Sequence, residues 1–407
     1  MQILIHNATL VLPHRLIQSG WLLIEDGHIA GLGESTTCPD PSLIEQSLDA
    51  AAHFLMPGLI DLHSDAIEKL VEPRPGVYFA LPVALEEADW RLAGCGITTE
   101  FHAVSLDDNE FGVRSDSFIH ELSEAIAAEA STLLVRHKIH ARLELSSQGG
   151  LHTIRQMVAQ GTIGMLSIMD HSPGQGQYTT LEAYRAYMMR TTNRTVAEVD
   201  AILARKRRQA AEIPRRIEAV TRLAREAGLA ISTHDDDSSD KVEQWPALGV
   251  SLSEFPTTLE AAARAHEVGL AVCMGAPNAL RGQSSSGHLS ALDAIKAGIA
   301  GVLCADYYPA AMLGAVFKLA TAGVLPLPQA VRLVTLNPAR AVGLGNDFGS
   351  LEPGKVADLI VVALNDCGLP VVQRVFVDGR EKVARAFLSS ARKPQLDAHG
   401  AGGNISE

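Results

Sequence analysis

The sequence predicts an α/β fold, a (β/α)8 TIM-type barrel with a small β-sandwich domain built from both chain termini. Between residues 57 and 344, short β-rich runs alternate with segments of helical period, which is the pattern of a closed parallel barrel. Residues 1–56 and 345–390 have the composition of short strands, and neither piece is large enough to fold alone. The length of 407 residues suits a barrel of about 250 residues with such an accessory module.

Each part of this division rests on a local pattern. The terminal pieces carry hairpin-turn signals at Asp26-Gly27 and Asp378-Gly379, and we expect them to pair into one sandwich, with two separate flaps as the alternative. Residues 178–216 exceed a normal barrel helix and predict an inserted, partly helical lid or dimer element. Residues 391–407 are polar and predict a flexible tail. Eight runs supply the barrel strands: GLIDLHSD, GITTEFHAVS, ARLELSS, GMLSIMDH, LAISTHDDD, GVSLSEFP, LAVCMGAP and AGVLCADYYP.

Composition and charge narrow the classes of function. The formal net charge of −13 argues against a general surface for nucleic acid or acidic lipids, and leaves room for a locally basic pocket that takes a phosphorylated substrate. The chain opens without a secretory signal pattern and has no run of about 18 apolar residues. Five scattered cysteines without a C-x-x-C pair indicate reduced thiols. We therefore expect a cytoplasmic protein with no membrane span, and a homodimer is one option.

Acidic and imidazole side chains close many of the predicted barrel strands. His63 and Asp65 are two residues apart at the end of the first strand, so they face the same way if the strand continues through them. Barrel active sites are built at the carboxyl ends of the strands, and imidazole with carboxylate suits a divalent transition metal. The repetition at later strand ends strengthens this prediction: Glu144, Asp170, His171, His234, Glu254 and Asp306.

Two segments of the chain resemble the amidohydrolase superfamily. FLMPGLIDLHSD is similar to its first-strand signature, and GSLEPGKVADLIVV is similar to its returning sandwich strand. Four further segments resemble, within that superfamily, the alpha-D-ribose 1-methylphosphonate 5-triphosphate diphosphatases of the carbon–phosphorus lyase pathway of phosphonate use: HSDAIEKLVEPRPGV, GITTEFHAV, MGAPNALRGQSSSGHLSA and ADYYP. The resemblance implies a metal-dependent hydrolase that converts a phosphorylated sugar phosphonate, the 5-triphosphate, to the 5-phosphate and pyrophosphate.

The resemblance also implies a ligand set for a divalent metal. Zinc is the first expectation, with manganese or iron as alternatives. The sequence departs from many members in having His-x-Asp rather than His-x-His on the first strand, and no lysine that ends the fourth strand is evident to carry a bridging carbamate. The number of ions, one or two, is therefore open. The implied ligands are His63, Asp65, Glu144, His234 and Asp306, with His171 and Glu254 as weaker candidates.

Proton transfer and phosphate recognition have their own candidates. Asp306, at the last barrel strand, is expected to orient or deprotonate the attacking water while touching the metal. Arg281 lies in a Gly- and Ser-rich loop that precedes a helix, where backbone N–H groups and the guanidinium are suited to phosphate oxygens; a plain flexible loop is the alternative. The remaining substrate-contact candidates are Asn278, Ser284, Ser286, Gly287, Tyr307, Tyr308, Lys69 and Arg74.

Other polar features have structural interpretations. The run 235–237 is as consistent with a solvated loop as with a metal site, and the basic run 205–208 is typical of a solvated helix face. His102 shares a strand face with Glu100 and either lines the pocket or packs as a buried polar group. The remaining histidines are expected in helix-like or loop segments without a ligand role: His120, His137, His152 and His266.

Three classes of function follow from these observations. The first is the phosphonate-pathway diphosphatase. The second is a C–N hydrolase of the same superfamily, such as a deacetylase, deaminase or cyclic amidase. This function would give Arg281 and its neighbouring glycines no role in substrate binding. The third is a non-catalytic relative that keeps the barrel as a scaffold. The presence of all four expected ligands argues against it: His63, Asp65, His234 and Asp306.

Overall fold

The computed structural model of the 407-residue chain describes residues 1–107, 113–172, 180–192, 194–284 and 287–385. The described part contains sixteen strands: Gln2–Val11 (β1), Leu16–Glu25 (β2), His28–Glu34 (β3), Gln46–Asp49 (β4), Phe54–Pro57 (β5), Leu59–Ser64 (β6), Ile97–Leu106 (β7), Arg136–Glu144 (β8), Ile163–Met169 (β9), Ala230–His234 (β10), Leu252–Glu254 (β11), Ala271–Gly275 (β12), Ala300–Cys304 (β13), Leu359–Leu364 (β14), Pro370–Val377 (β15) and Arg380–Ala384 (β16). The predicted tail, residues 391–407, lies outside the described residues.

Helices alternate with the strands of the barrel. They are Ala66–Val71 (α1), Leu81–Gly94 (α2), Asp116–Glu129 (α3), Gly150–Gln160 (α4), Leu181–Thr192 (α5), Val196–Gln209 (α6), Ile213–Glu226 (α7), Ser239–Glu243 (α8), Leu259–Glu267 (α9), Ala276–Arg281 (α10), Ala291–Lys296 (α11), Ala311–Thr321 (α12), Leu327–Arg332 (α13) and Leu336–Ala341 (α14). Among the described helices, none combines the length and the apolar composition that crossing a bilayer requires.

Strands β6–β13 form a nearly closed parallel barrel. They pair in chain order, and a bridge between Ser64 and Asp306 connects the first strand to the residues that follow the last. Parallel strands covered by helices are buried on both faces, which explains why β7 is buried along its whole length. Apolar side chains from six of these strands meet in one buried cluster: Ile60, Leu62, Phe101, Met165, Leu252, Cys273, Val302 and Cys304. The predicted barrel is confirmed.

The two chain ends meet in a second, separate sheet. Its order is β16-β15-β14-β5-β1-β2-β3, with β4 added in parallel to β1. The contact between β5 and β14 is antiparallel and joins the two ends of the chain, as the sequence predicts. One apolar cluster, with Leu10, Ile24 and Val361 among its members, collects side chains from both ends. The ends therefore form one continuous sheet, and the alternative of two flaps is wrong.

The described part of the predicted insertion contains a helix pair, formed by α5 and α6. The pair has its own small apolar cluster, formed by Tyr184, Met188, Val199 and Leu203. At the start of α6, the Thr195 hydroxyl accepts from the backbone N–H of Glu198, whose carboxylate accepts in return from the Thr195 backbone, and this reciprocal cap fixes where the helix begins. Helix α7 then runs back to the barrel and packs on α4 and β10.

Candidate active site

A first group of potential metal ligands lies at the ends of three barrel strands. The group consists of His63 on β6, His234 on β10 and Glu254 on β11. Each residue offers one potential ligand atom, and these three atoms lie within 4.8 Å of one another. Nδ1 of His63 is 3.2 Å from Oε2 of Glu254, and both side chains are buried. The carboxyl ends of all eight strands lie at the same end of the barrel, so residues far apart in sequence converge there.

A second group shares His234 with the first. It consists of His171, His234 and Asp235, whose ligand atoms again lie within 4.8 Å of one another. Asp235 has a left-handed backbone (φ 57°), and its Oδ2 lies 3.3 Å from Nδ1 of His234 and 3.6 Å from Nε2 of His171. Asp235 is 7% exposed, so of the two alternatives for the run 235–237 the solvated loop is wrong at this position.

Glu144, at the end of β8, holds His171 and a lysine of the insertion. Its Oε2 lies 3.1 Å from Nδ1 of His171, and its Oε1 accepts from Nζ of Lys206 at 3.1 Å. Burial opposes ionisation of Glu144, but Lys206 and His171 outweigh it and hold the pKa of this carboxyl well below its usual range. Burial also opposes the charged imidazole, yet hydrogen bonds to Asp235 and Glu144 raise the pKa of His171 to about 9. The two carboxylates thus favour positive charge between them.

Lys206 points inward from a helix whose basic face was predicted to be solvated. The run 205–208 is predicted to be a solvated helix face, yet Lys206 is 2% exposed and also donates to Oγ of Ser146 at 3.1 Å. Arg207 and Arg208 of the same helix are exposed, as predicted. The insertion therefore places one lysine against the strand ends, and the sequence could not show which residue of the run points inward.

Lys206→Met is expected to loosen the insertion. The substitution leaves the buried Glu144 carboxylate without its lysine partner, and losing one partner of a buried ion pair costs about 3 kcal/mol. We expect a lower temperature of thermal unfolding, together with faster proteolytic cleavage within residues 181–209. Arg207→Met on the same helix is the matched control and should leave both measurements unchanged. Equal behaviour of the two variants would contradict a role of Lys206 in docking the helix pair.

Asp65 and Asp306 lie beside the two groups and belong to neither of them. The backbone N–H of Asp306 donates to the carbonyl of His63 at 2.8 Å, and that of Asp65 donates to the carbonyl of Asp306 at 3.0 Å. Oδ2 of Asp65 accepts a hydrogen bond from Nη2 of Arg114. Nε of the same arginine donates to both carboxylate oxygens of Glu68. Burial and the neighbouring Asp65 charge raise the pKa of Asp306 to about 7. The barrel closure thus fixes both carboxylates next to His63.

Strand β8 contributes two further buried residues that the sequence analysis missed. His140, Arg142 and Glu144 alternate along the strand and so face the same side. Nη2 of Arg142 lies 3.0 Å from Nε2 of His234, and Nδ1 of His140 lies 2.9 Å from the carbonyl oxygen of Leu62. The alternation of polar and apolar residues over the second half of β8, 139–144, was the available signal.

Asp236 has a structural role. Its carboxylate accepts from Thr233 and Ser253 hydroxyls at 2.5 and 2.6 Å and from the Trp245 indole at 2.9 Å. It is fully buried, so the alternative of a solvated loop is wrong here too. These bonds tie the end of β10 to β11 and to the segment after α8, and they hold the loop that carries Asp235.

His102 lies away from the ligand groups. Its Nε2 is 2.7 Å from Nδ1 of His137, and Nε2 of His137 is 3.0 Å from Oδ1 of Asp89 on α2. His137 is therefore a buried residue of strand β8 rather than a helix or loop residue. The interpretation of His102 as a packed polar group is the one that the structure favours.

The described substrate-contact candidates lie in the segments that follow barrel strands β6, β12 and β13. Asn278 lies on α10 and is already engaged, because its Nδ2 donates to the carbonyl of Leu289 and its Oδ1 accepts from the N–H of Ala291 at the start of α11. Arg281 is exposed at the last position of α10, whose first turn follows Gly275 beside Asp306. Ser286 lies outside the described residues. The others are exposed or half-buried: Lys69, Arg74, Ser284, Gly287, Tyr307 and Tyr308.

Comparison with known proteins identifies the family. The amidohydrolase family model matches residues 54–382. The chain belongs to the amidohydrolase family. It is 35% identical over 369 residues to the alpha-D-ribose 1-methylphosphonate 5-triphosphate diphosphatase of Escherichia coli K12, covering 89% of this chain and 96% of that protein. It is 27% identical over 374 residues to an imidazolonepropionase of Pseudomonas paraeruginosa, covering 87% and 90%.

Solved structures of other amidohydrolases share the fold. N-acetylglucosamine-6-phosphate deacetylase from Pasteurella multocida superposes with a TM-score of 0.64 at 12% identity, covering 94% of this chain and 99% of that one. Dihydropyrimidinase from Brevibacillus agri superposes with a TM-score of 0.61 at 13% identity, covering 94% and 95%. At these identities the likeness concerns the fold alone.

The described site fits the divalent metal that amidohydrolases generally bind. Burial and the positive charge of Arg142 lower the pKa of His63 well below its usual value, so this imidazole is neutral and offers a lone pair. Oε1 of Glu254 and Nε2 of His140 are buried without a hydrogen-bond partner among the described residues. Buried polar atoms without a partner are costly, and a cation among them would satisfy the acceptor atoms.

Proposed function

We propose that this amidohydrolase hydrolyses a phosphoanhydride bond of a sugar 5-triphosphate, with alpha-D-ribose 1-methylphosphonate 5-triphosphate as substrate and the 5-phosphate and pyrophosphate as products. The observation that carries the proposal is the extent of the similarity to the Escherichia coli diphosphatase, 35% identity over 96% of that protein. The imidazolonepropionase also matches over most of its length, but at 27% identity. A C–N hydrolase is therefore the competing class of function.

The metal site would use the two groups that meet at His234. His63, His234 and Glu254 would hold one ion, and His171, His234 and Asp235 are the candidates for a second, which would replace the proton held on His171. Zinc is the expected ion, since imidazole and carboxylate ligands suit it, with manganese or iron as alternatives. When bound, such an ion supplies a Lewis acid for a phosphoryl oxygen and lowers the pKa of water from ~15.7 towards ~7.

Asp306 is proposed to accept the proton of the attacking water on its carboxylate. A general base works best when its pKa lies near the operating pH, and burial beside Asp65 raises the pKa of Asp306 to about 7. The backbone hydrogen bond from Asp306 to the carbonyl of His63 fixes the side chain next to the ligand groups. The exposed cations Lys69, Arg74 and Arg281, which follow barrel strands β6 and β12, are suited to the outer phosphates.

The test is a product assay by phosphorus NMR on metal-loaded protein. Three compounds are compared: the ribose 1-methylphosphonate 5-triphosphate, a nucleoside triphosphate and imidazolonepropionate. The expected result is pyrophosphate and the 5-phosphate from the first compound, at a higher kcat/KM than for the nucleotide. Turnover of imidazolonepropionate without phosphate release, detected by loss of its ultraviolet absorbance, would replace the proposal by the C–N hydrolase.

The cytoplasmic location, the homodimer and the domain boundaries stay predictions.

A further inference from the structure

Arg142 is a buried guanidinium without an ion pair in the described part of the chain. It lies on strand β8 with 4% of its surface exposed. Nη2 lies 3.0 Å from Nε2 of His234, and Nε has no hydrogen-bond partner among the described residues. Removing an arginine from water without a carboxylate partner is unfavourable, so a fold that needs only packing gives no reason for this side chain.

Two other arginines near the barrel are paired with carboxylates. Arg114 donates to Asp65 and to both oxygens of Glu68. Arg136 contacts Asp358 at 2.7 Å and Asp378 at 2.6 Å. Arg142 therefore differs from these arginines in that it faces a candidate metal ligand instead of a carboxylate. Its five N–H donors in a rigid fork are suited to a planar pair of anionic oxygens.

We propose that Arg142 binds a phosphoryl oxygen of the reacting group at the floor of the site. This inference rests on the proposed hydrolysis of a phosphoanhydride. The guanidinium lies beside His234, which belongs to both ligand groups, so an anion that contacts the ions would also meet Arg142. A buried barrel strand holds this side chain more rigidly than the exposed end of α10 holds Arg281, which suits an interaction with the reacting phosphoryl group.

The first measurement separates binding from catalysis. Methylenediphosphonate, whose P–C–P unit resists hydrolysis, is titrated calorimetrically into metal-loaded wild type, Arg142→Met, Arg142→Lys and Arg155→Met. Arg155 on α4 is exposed and serves as the charge-matched control. Metal content is measured after each titration to exclude extraction of the ion. Loss of hydrogen bonds to a charged group corresponds to roughly 10- to 100-fold weaker binding for Arg142→Met, and Arg155→Met should equal wild type.

The outcomes distinguish this inference from the proposed function. Wild-type affinity in Arg142→Met, or no binding to the wild type, overturns the inference even if the protein hydrolyses triphosphates. Arginine-dependent binding in a protein that hydrolyses no phosphoanhydride supports the anion site and removes the proposed function. Succinate is titrated in parallel, and equal, Arg142-dependent affinity for this dicarboxylate would assign the residue to a carboxylate ligand and overturn the phosphoryl assignment.

Thermal unfolding gives an independent readout. A buried charge that is retained for binding lowers the free energy of unfolding. We therefore expect Arg142→Met to unfold at the wild-type temperature or above it. Arg136→Met, which breaks two ion pairs to Asp358 and Asp378, should unfold several degrees lower. A fall in Arg142→Met equal to that of Arg136→Met would make Arg142 a structural residue and overturn the inference.

Discussion

Asp306→Asn is expected to lower kcat by about 10²- to 10⁴-fold, the range that loss of a general base produces. Asparagine matches aspartate in size and also tolerates the left-handed backbone that Asp306 adopts (φ 57°), so the barrel closure should persist. What is lost is the carboxylate oxygen that can take a proton near neutral pH. Initial rates of pyrophosphate release, together with the unfolding temperature and the metal content, check the prediction.

The matched control is Asp26→Asn. Asp26 also has a left-handed backbone (φ 48°), but it is exposed in the hairpin turn between β2 and β3, in the sheet of the chain termini. Its substitution should leave turnover unchanged. Near-wild-type kcat in Asp306→Asn would remove Asp306 from proton transfer. Loss of the metal together with turnover would assign Asp306 to the ligands instead.

His234→Ala is expected to remove metal binding and turnover together. His234 belongs to both ligand groups, so its loss leaves each group with two members. Residues that merely orient a ligand contribute about 10- to 100-fold in metal affinity, and a shared ligand should contribute at least as much. Atomic absorption after dialysis against a weak chelator measures the metal content, and circular dichroism reports whether the fold persists.

His266→Ala provides the comparison for this prediction. His266 is exposed on α9 and lies outside both ligand groups of the described residues. The variant should keep the wild-type metal content and rate. If His234→Ala retained stoichiometric metal, the two groups described here could not be the metal site. Restoration of turnover by excess zinc would indicate weakened binding at an otherwise intact site.

The sequence predicted which polar side chains close the barrel strands, and their role as metal ligands stays a prediction. Each of His63, His171, His234 and Glu254 closes or directly follows an apolar run, and the carboxyl ends of parallel strands converge at one end of the barrel. The composite sheet of the termini was predictable for a related reason. Neither end has enough apolar surface to fold alone, and only pairing β5 with β14 buries both.

The sequence was less informative where a side chain acts across a long separation. Arg142 and His140 alternate visibly on β8, but the chain alone does not say that this face meets His234, 92 residues further on. Asp235 and Asp236 form part of one acidic run, yet one faces His171 and the other is held by Trp245 and two hydroxyls. Neighbouring positions in a loop carry no periodicity from which these directions could be derived.

The sequence by itself determined the eight-stranded barrel, the sheet built from both ends and the strand ends at which the candidate metal ligands lie, because hydrophobic periodicity and strand polarity are local properties. Only the tertiary structure decided that His234 joins two ligand groups, that Lys206 turns inward from a basic helix and that Arg142 has no carboxylate partner in the described chain. These features depend on how the helix pair docks and how the barrel closes. Side-chain direction there is set by packing between distant segments, which no local pattern encodes.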